Sequence, residues 1–140
     1  MLAIRLSKLI WSQNSLQLAE VFDRLSYYYY MSGNFVIAET LAHQQATIVE
    51  YHYGRTSIEV CCEVIKHADL LRLILREQPK NLDVIKMYQA RAKHAMKLLC
   101  LFALVDINPA VGAEQQLGQD SCYFVDEYRR FEKELKELSE

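Results

Sequence analysis

The stretch Ala19–Ala38, AEVFDRLSYYYYMSGNFVIA, contains the clearest helical pattern in the sequence. Phe22, Leu25 and Tyr29 recur at steps of three and four, which is the spacing of one helix face. Gly33 follows, and a glycine can take the positive φ that closes a helix. The stretch therefore predicts two helices joined by a short turn, and its final alanine is small enough for the helices to pack closely.

The rest of the chain also carries apolar residues at helical spacing, without sustained alternation of period two. Four Gly and two Pro are too few for the tight turns of a sandwich or barrel. The 140 residues are therefore predicted to form a single all-α domain of about six antiparallel helices. The predicted segments are a leading helix over 1–13, helix pairs over 16–54 and 57–105, a connection over 106–120 and a terminal helix over 121–140.

The helix pair over 16–54 is similar to the tetratricopeptide repeat, whose spacing of large, small and Gly-x-aromatic residues it shares. A weaker second copy follows 42 residues later, which resembles the long repeats of kinesin light chains. This resemblance implies helical hairpins stacked in a right-handed superhelix. In the two copies, Phe22, Leu25, Ser26 and Tyr29 correspond to Val64, His67, Ala68 and Leu71.

The segment Tyr51–Val60, YHYGRTSIEV, read with its flanks over 18–99, resembles the C-terminal helical region of the SET and MYND domain-containing protein 4 family. That resemblance implies a parent family of protein-lysine methyltransferases that use S-adenosylmethionine and hold zinc outside this region. The sequence lacks both the Asn-His-Ser-Cys type cofactor motif and a cysteine-rich zinc array. The chain is therefore predicted to be non-catalytic: the C-terminal part of such an enzyme, shaping substrate access, or a standalone adaptor.

Cysteines and histidines are weighed as possible ligands, because the chain has four of each. Cys61 and Cys100 are predicted to be small core residues. His43 and His94 lie on different predicted helices, and His67 stands where the repeat has leucine, which predicts a packed histidine. The spaced ligand pairs of a zinc site are absent from the sequence, so no metal, cofactor or catalytic residue is expected.

The predicted functional surface is a concave groove lined by the first helix of each pair. Arg24 and Lys66 share a repeat position there, and a basic pair beside apolar groups suits an acidic, apolar peptide. Alternatively, these charges pair among themselves, Arg24 with Glu20 and Lys66 with Asp23 or Asp69. The predicted lining comprises Arg24, Tyr27, Met31, Ile65, Lys66, Asp69 and Arg72.

A protein is the expected partner, either a peptide or helix or the rest of a longer chain. The formal net charge of −2 gives no field that favours nucleic acid or an anionic membrane. The longest apolar run, Leu98–Val105, is far shorter than the roughly 20 residues that span a bilayer. Arg5 and Lys8 interrupt any N-terminal secretory signal, so a cytoplasmic or nuclear location is expected.

Overall fold

The computed structural model describes residues 2–10, 14–106 and 114–139. All secondary structure in these ranges is helical, which confirms the prediction of an all-α fold. Residues 1 and 11–13 of the predicted leading helix, 107–113 of the predicted connection and residue 140 lie outside the described residues. The helices are α1 (Leu2–Ile10), α2 (Leu16–Met31), α3 (Phe35–Tyr53), α4 (Ile58–Glu77), α5 (Leu82–Asp106) and α6 (Glu114–Ser139).

The start of α6 differs from the prediction. The helix begins at Glu114, whereas 106–120 was predicted as a connection and 121 as the first residue of the terminal helix. The first turn reads Glu-Gln-Gln-Leu, and these residue types have high helix propensity. These preferences outweigh the cost of about 1 kcal/mol that Gly118 imposes inside the helix.

Side-chain caps fix where four of the helices begin. Ser15, Asn34, Ser57 and Asn81 each accept a hydrogen bond from the backbone N–H three residues later, at donor–acceptor distances of 3.2, 3.4, 3.2 and 3.4 Å. Each cap satisfies one of the N–H groups that a helix start leaves without an internal partner.

Two glycines with positive φ end α2 and α3. Gly33 has φ +83°, and its N–H donates to the carbonyl of Tyr30 while that of Asn34 donates to Tyr29. This pair of bonds is the Schellman motif, which needs a left-handed residue. Gly54 has φ +88° and ψ 160°, a region that is essentially restricted to glycine. The helix end predicted from Gly33 is therefore confirmed.

Each helix packs against its neighbours in the sequence. Within the described ranges, close backbone approaches join only consecutive helices. One apolar cluster, which includes Leu18, Phe22 and Leu41, joins α1, α2 and α3. A larger cluster around Tyr88 and Phe131 joins α3 to α6. The core therefore extends along the row of helices.

Cysteine burial follows the prediction at one position and departs from it at another. Cys61 is 1% exposed and belongs to the larger cluster, as predicted. Cys100 is exposed, so its predicted core position is wrong. Leu99 is fully buried, and the next residue on a helix points about 100° away. An apolar run on a helix therefore reaches both the core and the surface.

Replacing the two glycines tests the helix ends. Gly54→Ala is expected to lower the free energy of unfolding by about 1–3 kcal/mol, because its backbone region excludes a Cβ. Gly33→Ala should cost about 1–2 kcal/mol and Gly33→Asn less, since asparagine tolerates left-handed backbone. Urea denaturation followed by circular dichroism measures these changes. An unaltered midpoint for Gly54→Ala would contradict the assigned backbone.

Candidate functional site

A groove of about 540 Å³ lies across α2, α4 and α6. We call it the groove throughout. The helices α2, α4 and α6 are not consecutive in the chain, and their backbones do not pack against one another. Their side chains nevertheless meet in the groove. Asp23, Tyr27 and Tyr30 contribute from α2, while Arg130 and Glu134 contribute from α6. The α4 lining comprises Cys62, Ile65, Lys66, Asp69, Leu70, Arg72, Leu73 and Arg76.

Small residues on α3 bring α2 and α4 together. Ala38 and Ala42 are fully buried, and they form an apolar cluster with Leu70 of α4. The buried Ser26 hydroxyl donates to the backbone carbonyl of Ala38 at 2.9 Å. Tyr29 packs against this cluster from α2, in the interior position predicted for it. A larger side chain at either alanine would separate the helices that form the groove.

Lys66 links three helices at one end of the groove. Its Nζ donates to Asp23 Oδ1 of α2 at 2.6 Å and to Gln45 Oε1 of α3 at 2.5 Å. Glu63 Oε2 of α4 lies 3.1 Å from the same nitrogen. Burial raises the pKa of Glu63, and the charge of Lys66 opposes that rise. Lys66 is thus engaged by the fold, as the alternative pairing with Asp23 predicts.

Arg130 performs the same role between α4 and α6. It donates to Asp69 Oδ1 at 2.8 Å and to Glu127 Oε2 at 2.5 Å, and Glu134 Oε1 lies 3.5 Å away. Burial raises the pKa of Asp69, and the hydrogen bond from Arg130 opposes the rise. Burial alone would lower the pKa of Arg130, but the bonds to Glu127 and Asp69 outweigh it and raise the value.

Arg72 and Tyr88 complete this polar network. Arg72 lies 3.6 Å from Glu134 and 3.4 Å from Glu137, and its guanidinium sits over the Tyr88 ring at 5.9 Å from the centroid. The Tyr88 hydroxyl donates to Glu134. Burial and this bond raise the pKa of Tyr88, so the phenol stays protonated. The network anchors α6 to α4 and α5.

The groove is lined with apolar side chains between these two networks. Ile65 and Leu70 are buried in its floor, and Leu73 is half-buried beside them. Tyr27 and Tyr30 are 64% and 43% exposed, with ring centroids 6.4 Å apart. Two exposed tyrosine rings and several aliphatic side chains therefore line the same groove.

Five of the seven residues predicted for the groove line it, and two do not. Tyr27, Ile65, Lys66, Asp69 and Arg72 are among its lining residues. The other two, Arg24 and Met31, are exposed outside it, and Arg24 pairs with Glu20 at 2.6 Å. The predicted basic pair of Arg24 with Lys66 is therefore absent from the groove.

Charge in the groove is largely balanced. Its cations Lys66, Arg72 and Arg130 all have carboxylate partners. Arg76 lines the groove, is exposed and forms no ion pair with any described residue. Arg76 was not predicted to line the groove, although it lies one helical turn beyond Arg72.

One cysteine, Cys62, lines the groove. Burial raises the pKa of the Cys62 thiol, which disfavours the thiolate form that acts as a nucleophile or ligand. Within residues 2–10, 14–106 and 114–139, no group of three or more His, Cys, Asp or Glu side chains is arranged to hold a metal ion. No helix of those ranges combines the length and apolar character needed to cross a bilayer. The groove offers surface and charge for binding.

Comparison with known proteins identifies no relative of this chain. No protein family matches the chain, and no curated protein or solved structure matches it significantly.

The Arg130 network yields a stability prediction. Arg130→Gln should lower the free energy of unfolding by about 1–3 kcal/mol, because Asp69 and Glu134 lose their shared cation in a half-buried site. Arg24→Gln is the matched control, since its pair with Glu20 is exposed and contributes at most about 0.5 kcal/mol. Urea denaturation measures both. Equal losses would show that Arg130 does not anchor α6.

Proposed function

We propose that the chain is a protein-interaction module with tetratricopeptide-like architecture, whose groove binds a helical or extended segment of another protein. The observation that carries the proposal is the pair of exposed tyrosine rings that line the same groove as the aliphatic side chains of α4. Aromatic side chains at the edge of a concave apolar site are typical anchors of protein recognition. The proposed role is non-catalytic.

The order of the helices supports the architectural part of the proposal. Backbone packing between consecutive helices, with small residues on α3, is the pattern of stacked helical hairpins. In such an array, α2, α4 and α6 would be the first helices of successive hairpins and would line its concave side. The right-handed superhelix predicted from the repeat belongs to this proposal.

The ion pairs in the groove limit which kinds of ligand it can bind. The lysine and arginines that already hold α2, α4 and α6 together are engaged by carboxylates, so they offer little to an acidic ligand. Arg76 is different, because it is exposed beside Leu73 without an ion pair among the described residues. The proposed ligand is an apolar segment with one carboxylate near the Arg76 end. Its binding should depend weakly on salt.

A selected peptide ligand tests the groove assignment. Amphipathic peptides selected from a display library against the whole chain should lose about tenfold in affinity when Tyr27 and Tyr30 are replaced by alanine. The matched control replaces Tyr51 and Tyr53, which are 70% and 49% exposed on α3. Isothermal titration calorimetry measures the affinities, and circular dichroism checks the helical content of each variant.

The control variant should bind within about twofold of the unmodified chain, because a surface distant from the ligand contributes little binding energy. Retention of full affinity by the Tyr27 and Tyr30 variant would reject the groove as the binding site.

A second candidate is that the chain packs against the rest of a methyltransferase of the SET and MYND type. The observation that favours it is the segment that carries the resemblance: Tyr51, Tyr53 and Ile58 are 70%, 49% and 46% exposed around the turn from α3 to α4. Exposed apolar groups in one segment are typical of a packing surface. Loss of binding in the Tyr51 and Tyr53 variant alone would favour this candidate.

A further inference from the structure

A second cavity, of about 350 Å³, shares no lining residue with the groove. Helices α3, α4 and α5 form it. Three of the four histidines of the chain line it, together with one arginine. These side chains are His43, His67, Arg91 and His94, and we call them the histidine–arginine cluster.

Arg91 joins two of the histidines. Its two terminal nitrogens lie 2.9 Å from His43 Nδ1 and 3.2 Å from His94 Nδ1. A guanidinium only donates hydrogen bonds, so each Nδ1 accepts and each imidazole is neutral with its proton on Nε2. Three groups that can carry positive charge therefore meet at one point.

No carboxylate of the described residues neutralises Arg91 by an ion pair. Burial lowers the pKa of Arg91, while the more distant Glu50 and Glu39 raise it. Both acids are engaged elsewhere: Glu39 with His67 at 2.6 Å and Glu50 with Arg55 at 3.2 Å. A half-buried guanidinium without an adjacent anion is costly unless a ligand supplies one.

Protonation of His43 or His94 adds positive charge beside Arg91 and so favours binding of an anion. Burial lowers the pKa of His43 and of His94, and the positive charge of Arg91 lowers both further. At His43, the charge of Glu39 raises the pKa and His67 lowers it further. At His94, the charge of Glu50 raises the pKa and Lys97 lowers it further. Once either imidazole is protonated, its Nδ1 becomes a donor and its bond from Arg91 is lost.

We propose that the histidine–arginine cluster binds a phosphate group, and that it binds more tightly when His43 and His94 are protonated. The anion replaces the two bonds between Arg91 and the imidazoles, and it accepts hydrogen bonds from the guanidinium and from both protonated Nδ1 atoms. A tetrahedral oxyanion suits this site, because its oxygens point in several directions at once. The cavity is open, so a phosphate can enter without unfolding of α3 or α5.

Sulfate is the first probe, because it stays dianionic across the pH range in which the histidines titrate. Thermal unfolding is measured with sulfate and with chloride at equal ionic strength, at about pH 5.5 and about pH 8. With sulfate held at a fixed concentration, about ten times its dissociation constant at the lower pH, the expected stabilisation at that pH is about 4–6 °C. At the higher pH it should fall to less than about half of that.

Variants separate this site from general salt effects. Arg91→Gln should lose the extra stabilisation by sulfate, and Arg24→Gln, which alters an exposed arginine already paired with Glu20, should keep it. An unchanged sulfate response in Arg91→Gln, or a response that is equal at both pH values, would overturn the proposal.

Histidine-ring NMR of the unmodified chain gives an answer that does not depend on folding of a variant. Sulfate should shift the ring signals of His43 and His94, and His52, which contacts the backbone of Asn14, should not respond. Shifts of His52 alone would overturn the proposal. Repeating the titration with inorganic phosphate and with O-phosphoserine then distinguishes free phosphate from phosphate carried by a side chain.

In chloride alone, acid should weaken the fold through the same groups. A histidine whose folded pKa lies below its unfolded pKa binds more protons when unfolded, so stability falls as the pH drops below about 6.5. Urea midpoints should therefore decrease between about pH 7.5 and pH 5.5, and less so in a His43→Gln, His94→Gln variant. An equal decrease in that variant would show that other groups carry the pH dependence.

Discussion

The close packing of α3 against α2 and α4 is the constraint on which the rest of the structure depends. Ala38 and Ala42 are fully buried at this contact, and the Ser26 hydroxyl bonds to the α3 backbone there. Because α3 comes so close to both neighbours, side chains of α2 and α4 can meet on one side of the row. The bond of Lys66 to Asp23 follows from this proximity. The groove is the space that remains open beside it.

Charge in this molecule has two different roles. In the groove, Lys66 and Arg130 are bonded to carboxylates of neighbouring helices, so their charges stabilise the arrangement and are not free to bind a ligand. Arg76 and Arg91 form no ion pair with a described residue, and each lies at a cavity. An unpaired cation at a cavity is a better indicator of anion binding than the number of basic residues in a surface.

Local features of the fold and the pairs of Arg24 with Glu20 and of Lys66 with Asp23 could be predicted from the sequence, whereas the contacts of α5 and α6 could not. The turn at Gly33 and the burial of Ala38 follow from residue type and helical spacing, which act over a few residues. For Arg24 the alternative prediction is the correct one, because it pairs with Glu20 and does not line the groove. The bonds of Arg130 and Arg91 join helices far apart in the chain, and no spacing in the sequence encodes such contacts.

The measurement that tests the side-by-side placement of α2 and α4 most directly is a double-mutant cycle on Asp23 and Lys66. The single variants Asp23→Asn and Lys66→Met and the double variant are compared by urea denaturation with the unmodified chain. We predict a favourable coupling of about 0.5–1 kcal/mol that decreases with added salt. A coupling near zero at low salt would contradict the contact, and with it the groove on which the proposed function rests.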